Sequence, residues 1–133
     1  MVLNAGHICD TIVYTLANPL SAMPTWMAAE LMLVVQTVLN FLIPSGSGQA
    51  VVSMPIMIPL GDIVGISRQI TVLAYQFGDG LSNILWPTAF APVIAALAGF
   101  KLEKWWKWLA PLFVMLLITQ MALIAIALAV GFA

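Results

Sequence analysis

Asp79 is the acidic residue whose neighbours in the sequence point most clearly to chemistry. It lies in a long apolar stretch, with Gly78 before it and Gly80, Ser82 and Asn83 after it. A charge at the centre of a membrane helix costs about 2.5–3.5 kcal/mol, so acids there usually serve ions, protons or substrates. Carboxylate, amide and carbonyl oxygens are the ligands of hard cations. We therefore predict a substrate or ion site here, with sodium held by Asp79 and Asn83 or a proton on the carboxylate. The alternative is an acid that ends a helix near the membrane surface.

A second polar segment supplies further candidate ligands. Its members are Asn40, Ser45, Gly46, Ser47, Gly48 and Gln49. At the tip of a helical hairpin, the carboxyl end of one helix would favour a cation and the amino end of the next an anionic group. The segment is not a phosphate-binding P-loop, because no Gly-Lys-Ser/Thr follows it. The alternative is a flexible turn at the surface.

Patterns for catalysis or transition-metal binding are weak. The segment 77–80 (FGDG) resembles the Gly-x-Gly-Asp of intramembrane aspartyl proteases, which need two facing aspartates, but Gln76 stands at the first glycine position. His7, Cys9 and Asp10 do not have the spacing of a structural zinc site. We therefore expect no enzyme and no cofactor, apart from a coupling sodium ion or proton.

The composition indicates the class of protein to which these residues belong. Of 133 residues, 63% are hydrophobic and 7% charged, with a mean hydropathy of +1.10. In soluble domains, about 45–50% of the residues are apolar and about 25% are charged. This is the composition of an all-α membrane protein whose surroundings are a lipid bilayer. Four basic and five acidic residues give a net charge of -1, too little positive charge to neutralise a run of phosphates. Nucleic-acid binding is therefore excluded.

The uncharged stretches divide the single membrane domain, residues 1–133, into four elements. Residues 108–133 predict a transmembrane helix, since a span needs about 20 apolar residues. Residues 67–100 predict a transmembrane helix broken at 78–83, near the midplane, with Ser67 as its cap. Residues 25–65 predict a re-entrant hairpin, with two ordinary spans joined by an exposed turn as the alternative. Residues 1–24 predict an interfacial helix.

The lysines and tryptophans of residues 101–108 set the expected orientation. Three lysines and three tryptophans in this short segment are typical of an interfacial anchor. By the positive-inside tendency the segment faces the cytoplasm, in a multi-pass protein of the inner (plasma) membrane.

Several motifs resemble a family of carriers. They are NFLIPSGSGQA (40–50), MPIM (54–57), SRQ (67–69) and AYQFGDG (74–80), followed by Asn83 and Pro87-Thr88. The chain resembles the YfcC-type basic amino-acid antiporters of the ion-transporter superfamily, which are related to anaerobic dicarboxylate carriers and, more distantly, to aminobenzoyl-glutamate transporters. The resemblance implies one inverted repeat, with a re-entrant hairpin tip and a helix break that meet at the substrate site. It also adds Gln76 and Thr88 to the candidate site.

Two departures from the aminobenzoyl-glutamate branch narrow the substrate. Ala50 stands where that branch has a tryptophan, and Gln76 where it has an arginine that would pair with a substrate carboxylate. A cationic or zwitterionic amino acid therefore fits better than an aromatic dicarboxylate.

The length of such carriers implies a missing part. They are several times longer, so the chain corresponds to their C-terminal part only. The missing part of the carrier would be an N-terminal repeat, a second subunit or an oligomeric partner. The function expected is the C-terminal repeat of an ion-coupled transporter or antiporter for amino acids or small carboxylates. The alternative is a non-transporting membrane fragment or an accessory subunit of a two-chain carrier.

Overall fold

A computed structural model of the chain describes residues 22–132, and all the regular structure within them is helical. The five helices are α1 (Thr25–Leu42), α2 (Gly46–Val64), α3 (Arg68–Ser82), α4 (Ala91–Leu97) and α5 (Leu102–Ala129). Three of them, α1, α2 and α5, are long and apolar enough to cross a membrane. The all-α membrane class predicted from composition is confirmed. The interfacial helix predicted at 1–24 lies outside the described residues, except for residues 22–24, which precede α1.

Helices α1 and α2 form a hairpin with a very short connection. The backbone N–H of Ile43 donates to Leu39 and closes α1, and Ser45 caps α2 by accepting from the backbone N–H of Gly48. The second arm therefore begins at Gly46, directly after its cap, because a serine N-cap satisfies an amide of the first turn. Gly65, with φ of 80°, ends α2 in the left-handed conformation that glycine adopts without strain.

The break after α3 lies further along the chain than predicted. Ser67 caps α3 as expected, accepting from the backbone N–H of Ile70. The helix nevertheless continues through the predicted break at 78–83 and ends at Ser82, and the irregular segment is 83–90. Gly78 is a packing residue here, since a Cβ on it would lie 2.6 Å from the Cβ of Gln36 on α1. The glycine allows two helices to approach closely and does not interrupt either of them.

The apolar core lies between α1, α2 and α3, with one fully buried residue from α5. Its buried members include Ala28, Ala29, Met32, Leu33, Met57, Leu60, Ile70, Ala74 and Ile124. Helix α5 begins at Leu102, before the predicted start at Trp108, and ends at Ala129. Only Leu109 and Ile124 of α5 are buried, as expected of a helix that presents most of its surface to lipid.

Tryptophan indoles connect the irregular segment 83–90 to its neighbours. Trp105 and Trp106 of α5 donate to the backbone oxygens of Ile84 and Leu85, at 3.0 and 2.8 Å. Trp86 donates to the backbone oxygen of Thr37 on α1 at 2.8 Å. The indoles of Trp105 and Trp106 satisfy carbonyls of the irregular segment, which would be costly to leave unpaired in apolar surroundings.

Candidate functional site

Asn40, near the carboxyl end of α1, is the centre of a buried polar cluster. Its Nδ2 donates to Asp79 Oδ1 at 2.7 Å and to Gln49 Oε1 at 3.2 Å. It also lies 3.5 Å from Asn83 Oδ1. The side chains of Asn40 and Gln49 are completely buried. Four of the predicted site residues, from α1, α2, α3 and the break, therefore meet at one place, which we call the Asn40 cluster.

The carboxylate of Asp79 is buried beside neutral partners. The residue is 6% exposed, and its Oδ1 accepts from Asn40 and, at 3.4 Å, from Asn83 Nδ2. Among the described residues, the recorded ion pair joins Asp62 to Arg68. It is exposed and lies where α2 ends and α3 begins, at the opposite end of these helices from the Asn40 cluster. Asp79 Oδ2 points to the start of α2, since a Cβ on Gly46 would lie 3.0 Å from it. The partial positive charge at that helix amino end stabilises the negative charge.

Tyr75 belongs to the site although the sequence analysis did not include it. Its hydroxyl donates to the backbone oxygen of Gly46, so it holds the first residue of α2 against α3. Tyr75 precedes Asp79 by four residues, a spacing that puts both on one face of a helix. That spacing was the available signal in the sequence.

Gln36 is the second site residue that the sequence analysis missed. Gln49 Nε2 donates to its side-chain Oε1 at 2.8 Å and to its backbone oxygen at 2.9 Å. Gln36 is 1% exposed and precedes Asn40 by four residues, so one face of an apolar helix carries two buried amides. This spacing, too, was visible in the sequence.

Three buried polar atoms around the cluster have no hydrogen-bond partner among the described residues. They are Asn40 Oδ1, Gln36 Nε2 and Ser53 Oγ. Leaving such a group unpaired costs about 1–3 kcal/mol, so each is suited to a polar ligand or a bound water. Asn40 Oδ1 adds one more oxygen beside the carboxylate. The cluster is therefore rich in oxygen ligands, which suits a hard cation.

The remaining predicted residues have other places. Ser47, Gln76 and Gly80 are exposed and lie on other faces of their helices. Ser45 is the exposed N-cap of α2 and accepts from the backbone N–H of Gly48. Ser82 donates to the backbone oxygen of Gly78 and Thr88 to that of Phe41. Gly46 lies beside Asp79, so that an added Cβ would meet Oδ2, as described above. The metal candidates His7, Cys9 and Asp10 lie outside the described residues.

Comparison with known proteins gives two similar curated sequences. The Escherichia coli (strain K12) protein named "Putative basic amino acid antiporter YfcC" is 45% identical over 104 residues, which are 77% of this chain and 20% of that protein. A Haemophilus influenzae protein without an assigned function is 38% identical over 126 residues, 95% of this chain and 25% of that protein. The chain thus spans about a fifth to a quarter of the length of these relatives. No solved structure matches it.

A protein-family profile places the chain among carriers. The profile described as C4-dicarboxylate anaerobic carrier (DcuC) matches residues 1–129. This match and the similarity to YfcC confirm the resemblance inferred from the motifs, and both descriptions are those of transporters. The chain is a membrane protein that belongs to the C4-dicarboxylate anaerobic carrier family.

Proposed function

We propose that this chain forms one repeat of an ion-coupled secondary transporter, and that the Asn40 cluster is its share of the substrate and ion site. The observation that carries the proposal is the buried Asp79 carboxylate, which is held by neutral amides and a helix amino end. An acid in that setting is available to a cation that enters and leaves. A purely structural acid would be expected to have a permanent basic partner.

The depth of the cluster supports this role. Gln120 Nε2 on α5 donates to the backbone oxygen of Phe77 at 3.2 Å, two residues before Asp79. Gln120 lies near the middle of the uncharged stretch 108–133. If α5 spans the bilayer, Asp79 lies close to the midplane, which is the usual depth of substrate and ion sites in carriers built from repeats.

The start of α2 lies at the same depth and supports a re-entrant hairpin. Tyr75 donates to the backbone oxygen of Gly46, and Asp79 lies beside this glycine, so the connection 43–45 is held at the level of the cluster. A connection at the headgroups would instead be expected to carry Lys, Arg or aromatic residues. On this proposal α1 and α2 are the two arms of a hairpin whose tip stops inside the membrane.

The coupling ion would be held by oxygens of the cluster. Asp79 and Asn83 are the proposed sodium ligands, joined by Asn40 Oδ1, which has no other partner in the described part of the chain. Protonation of Asp79 would provide an equivalent neutralisation in a proton-coupled carrier.

A cationic or zwitterionic amino acid is the proposed substrate. Within residues 22–132, Arg68 is paired with Asp62 and the three lysines lie in 101–107, so the Asn40 cluster contains no basic side chain. A dicarboxylate would need such a side chain as its partner. The name of the E. coli relative, a basic amino acid antiporter, agrees with this substrate class.

The rest of the site is proposed to come from outside this chain. The relatives are about four times as long, so an N-terminal repeat, a second subunit or another copy would supply the opposite hairpin and break. The complete carrier would lie in the inner membrane. An accessory subunit that does not transport is the competing function.

Substitution of Asp79 tests the proposal. In a full-length carrier that contains this segment, Asp79→Asn should abolish uptake of labelled lysine or arginine, because the charge that attracts the substrate or ion is removed. Asp62→Asn is the matched control, since that aspartate is exposed and pairs only with Arg68. Uptake by Asp79→Asn at the level of the control would overturn the proposal, provided that both proteins reach the membrane in equal amounts.

A further inference from the structure

A cavity near the start of α5 has the lining of a lipid site. It has a volume of about 320 Å³ and is lined by Phe100, Lys104, Trp105 and Trp108. A second opening of about 380 Å³ adjoins it and shares Phe100 and Lys104. Its other lining residues are Gly99, Lys101, Glu103 and Lys107. One end of this paired cavity is thus aromatic and the other charged.

The aromatic end is open to the surroundings of the protein. Phe100 is 49% and Trp108 63% exposed, although both are large apolar side chains. The rings of Trp105 and Trp108 lie 5.7 Å apart, and Lys104 Nζ lies 4.9 Å from the centroid of Phe100. Lysine and tryptophan in this arrangement present an apolar body with a polar end, as side chains at the membrane interface do.

The charged end concentrates the positive charge of the chain. Three of its four basic residues line the opening, against the single acid Glu103. The fourth, Arg68, lies beside Asp62 at the other end of the helices, with 2.9 Å between Nη2 and Oδ2. The lysines at positions 101, 104 and 107 follow one another at intervals of three, and all three reach the same opening. The paired cavity is therefore complementary to an anion.

We propose that this paired cavity binds an anionic phospholipid. The lysines would bind the headgroup phosphate, and Phe100 and Trp108 would pack against the glycerol backbone and upper acyl chain. A free phosphate ion would use the lysines but not the exposed rings. The combination of basic residues with aromatic rings at the start of a spanning helix is what an anionic lipid fits.

The lipid would act on the helix break through Trp105. This residue lines the cavity with its ring and donates its indole N–H to the backbone oxygen of Ile84, next to Asn83 of the Asn40 cluster. A lipid packed against that ring would favour the rotamer that makes the hydrogen bond. Lipid binding would then stabilise the segment 83–90.

Quenching by brominated lipids tests the site directly and does not depend on transport. The chain is reconstituted in phosphatidylcholine vesicles that contain brominated phosphatidylglycerol or brominated phosphatidylcholine, and tryptophan fluorescence is measured. We expect phosphatidylglycerol to quench at a lower mole fraction. Lys104→Gln should weaken this preference about fivefold, since one basic residue near the surface contributes about 1 kcal/mol.

Control variants and a phosphate titration make the test decisive. Arg68→Gln removes a basic residue elsewhere and should keep the preference, and so should Trp26→Phe, which removes an exposed tryptophan of α1. Glu103→Gln should strengthen the preference, because it removes the acid from the opening. Equal quenching by the two lipids, or loss of the preference in Arg68→Gln to the same degree as in Lys104→Gln, would overturn the proposal. Competition by inorganic phosphate would identify a free-anion site instead and would also overturn it.

Discussion

Asn40 makes the cluster an acceptor-rich site. One amide NH₂ has two hydrogens, yet three oxygens, from Gln49, Asp79 and Asn83, lie within 3.5 Å of it. Its own Oδ1 has no partner in the described part of the chain. Oxygen lone pairs therefore outnumber the hydrogens available to them. An incoming cation or ammonium group would meet acceptors that need no protein hydrogen bond to be broken.

Removal of the Asn40 amide should be costly for stability. Asn40→Ala would deprive the buried Asp79 carboxylate of its closest donor, at 2.7 Å, and Gln49 of a donor as well. A buried charged group left without its hydrogen bond costs about 2–4 kcal/mol. The free energy of unfolding in detergent micelles, measured by urea titration and circular dichroism, should fall by this amount.

The control for this measurement is Ser47→Ala. Ser47 is exposed and makes no side-chain hydrogen bond with a described residue, so the free energy should change by less than about 0.5 kcal/mol. An equal, small effect of both substitutions would show that Asn40 contributes nothing to stability.

Residue types and order were sufficient to predict part of the site. Asp79, Asn83, Asn40 and Gln49 stand out because polar side chains are rare in this composition. Ser47 was included because it lies near these residues in the sequence, and Gln76 because of the family resemblance. A helix turns about 100° per residue and directs both side chains elsewhere. Tyr75 and Gln36 were missed, although each lies one helical turn from a predicted residue. Neighbours at a spacing of four would have been the better guide.

At the scale of elements, Gly78 shows why the break was misplaced. Two glycines around an acid indicate a helix end when only local propensity is considered, since glycine is about 1 kcal/mol less favourable than alanine in a helix. The packing of α1 against α3 overrides that preference. A Cβ at position 78 would lie 2.8 Å from the backbone oxygen of Leu33 and 3.0 Å from the backbone nitrogen of Thr37. Such packing depends on a tertiary partner and cannot be derived from a local motif.

The two glycines of α3 should therefore respond in opposite ways to alanine. Gly78→Ala forces α1 and α3 apart, because its closest contacts include rigid backbone, and should destabilise by about 1–3 kcal/mol or more. Gly80→Ala meets no atom within 4 Å, so it should be neutral or stabilise by up to about 1 kcal/mol.

The unfolding midpoints of the two variants in one detergent check this expectation. Destabilisation of both by the same amount would mean that glycine is needed at each position for backbone freedom. That outcome would restore the predicted break at 78–83.

At the scale of the whole molecule, the sequence predicts which segments are long and apolar better than it predicts how deep in the bilayer each segment lies. The long uncharged stretch 108–133 and the short polar interruption near 44–49 correspond to α5 and to the hairpin connection. Hydropathy alone does not determine whether α1 and α2 cross the bilayer, because both have the length of a span. The contacts of α3 support the proposed depth, since Phe77 is joined to Gln120 and Tyr75 to Gly46.

Cysteine labelling tests the depth of the hairpin connection. In a full-length carrier that contains this segment, a cysteine at Ser47 should react slowly with a membrane-impermeant maleimide, because the connection is proposed to lie near the level of Gln120. A cysteine at Gln69 should react readily, since this exposed residue is in the first turn of α3, beside the Asp62–Arg68 ion pair at the far end. Gly65, at the end of α2, lies close to the same ion pair but is not replaced, because its φ of 80° would strain any other residue.

The comparison of the two rates decides between the hairpin and two ordinary spans. A reagent excluded from the hydrocarbon core, which is about 30 Å thick, should label position 47 at least about tenfold more slowly than position 69 in intact membranes. Both cysteines should react equally once the protein is unfolded in detergent, where neither a bilayer nor a fold shields them. The fold itself does not account for a difference, since both side chains are exposed in the described structure. Equally fast labelling of both in intact membranes would place the connection at the surface. In that case α1 and α2 would each cross the bilayer, and the Asn40 cluster, joined to the connection through Gly46, would lie near one interface.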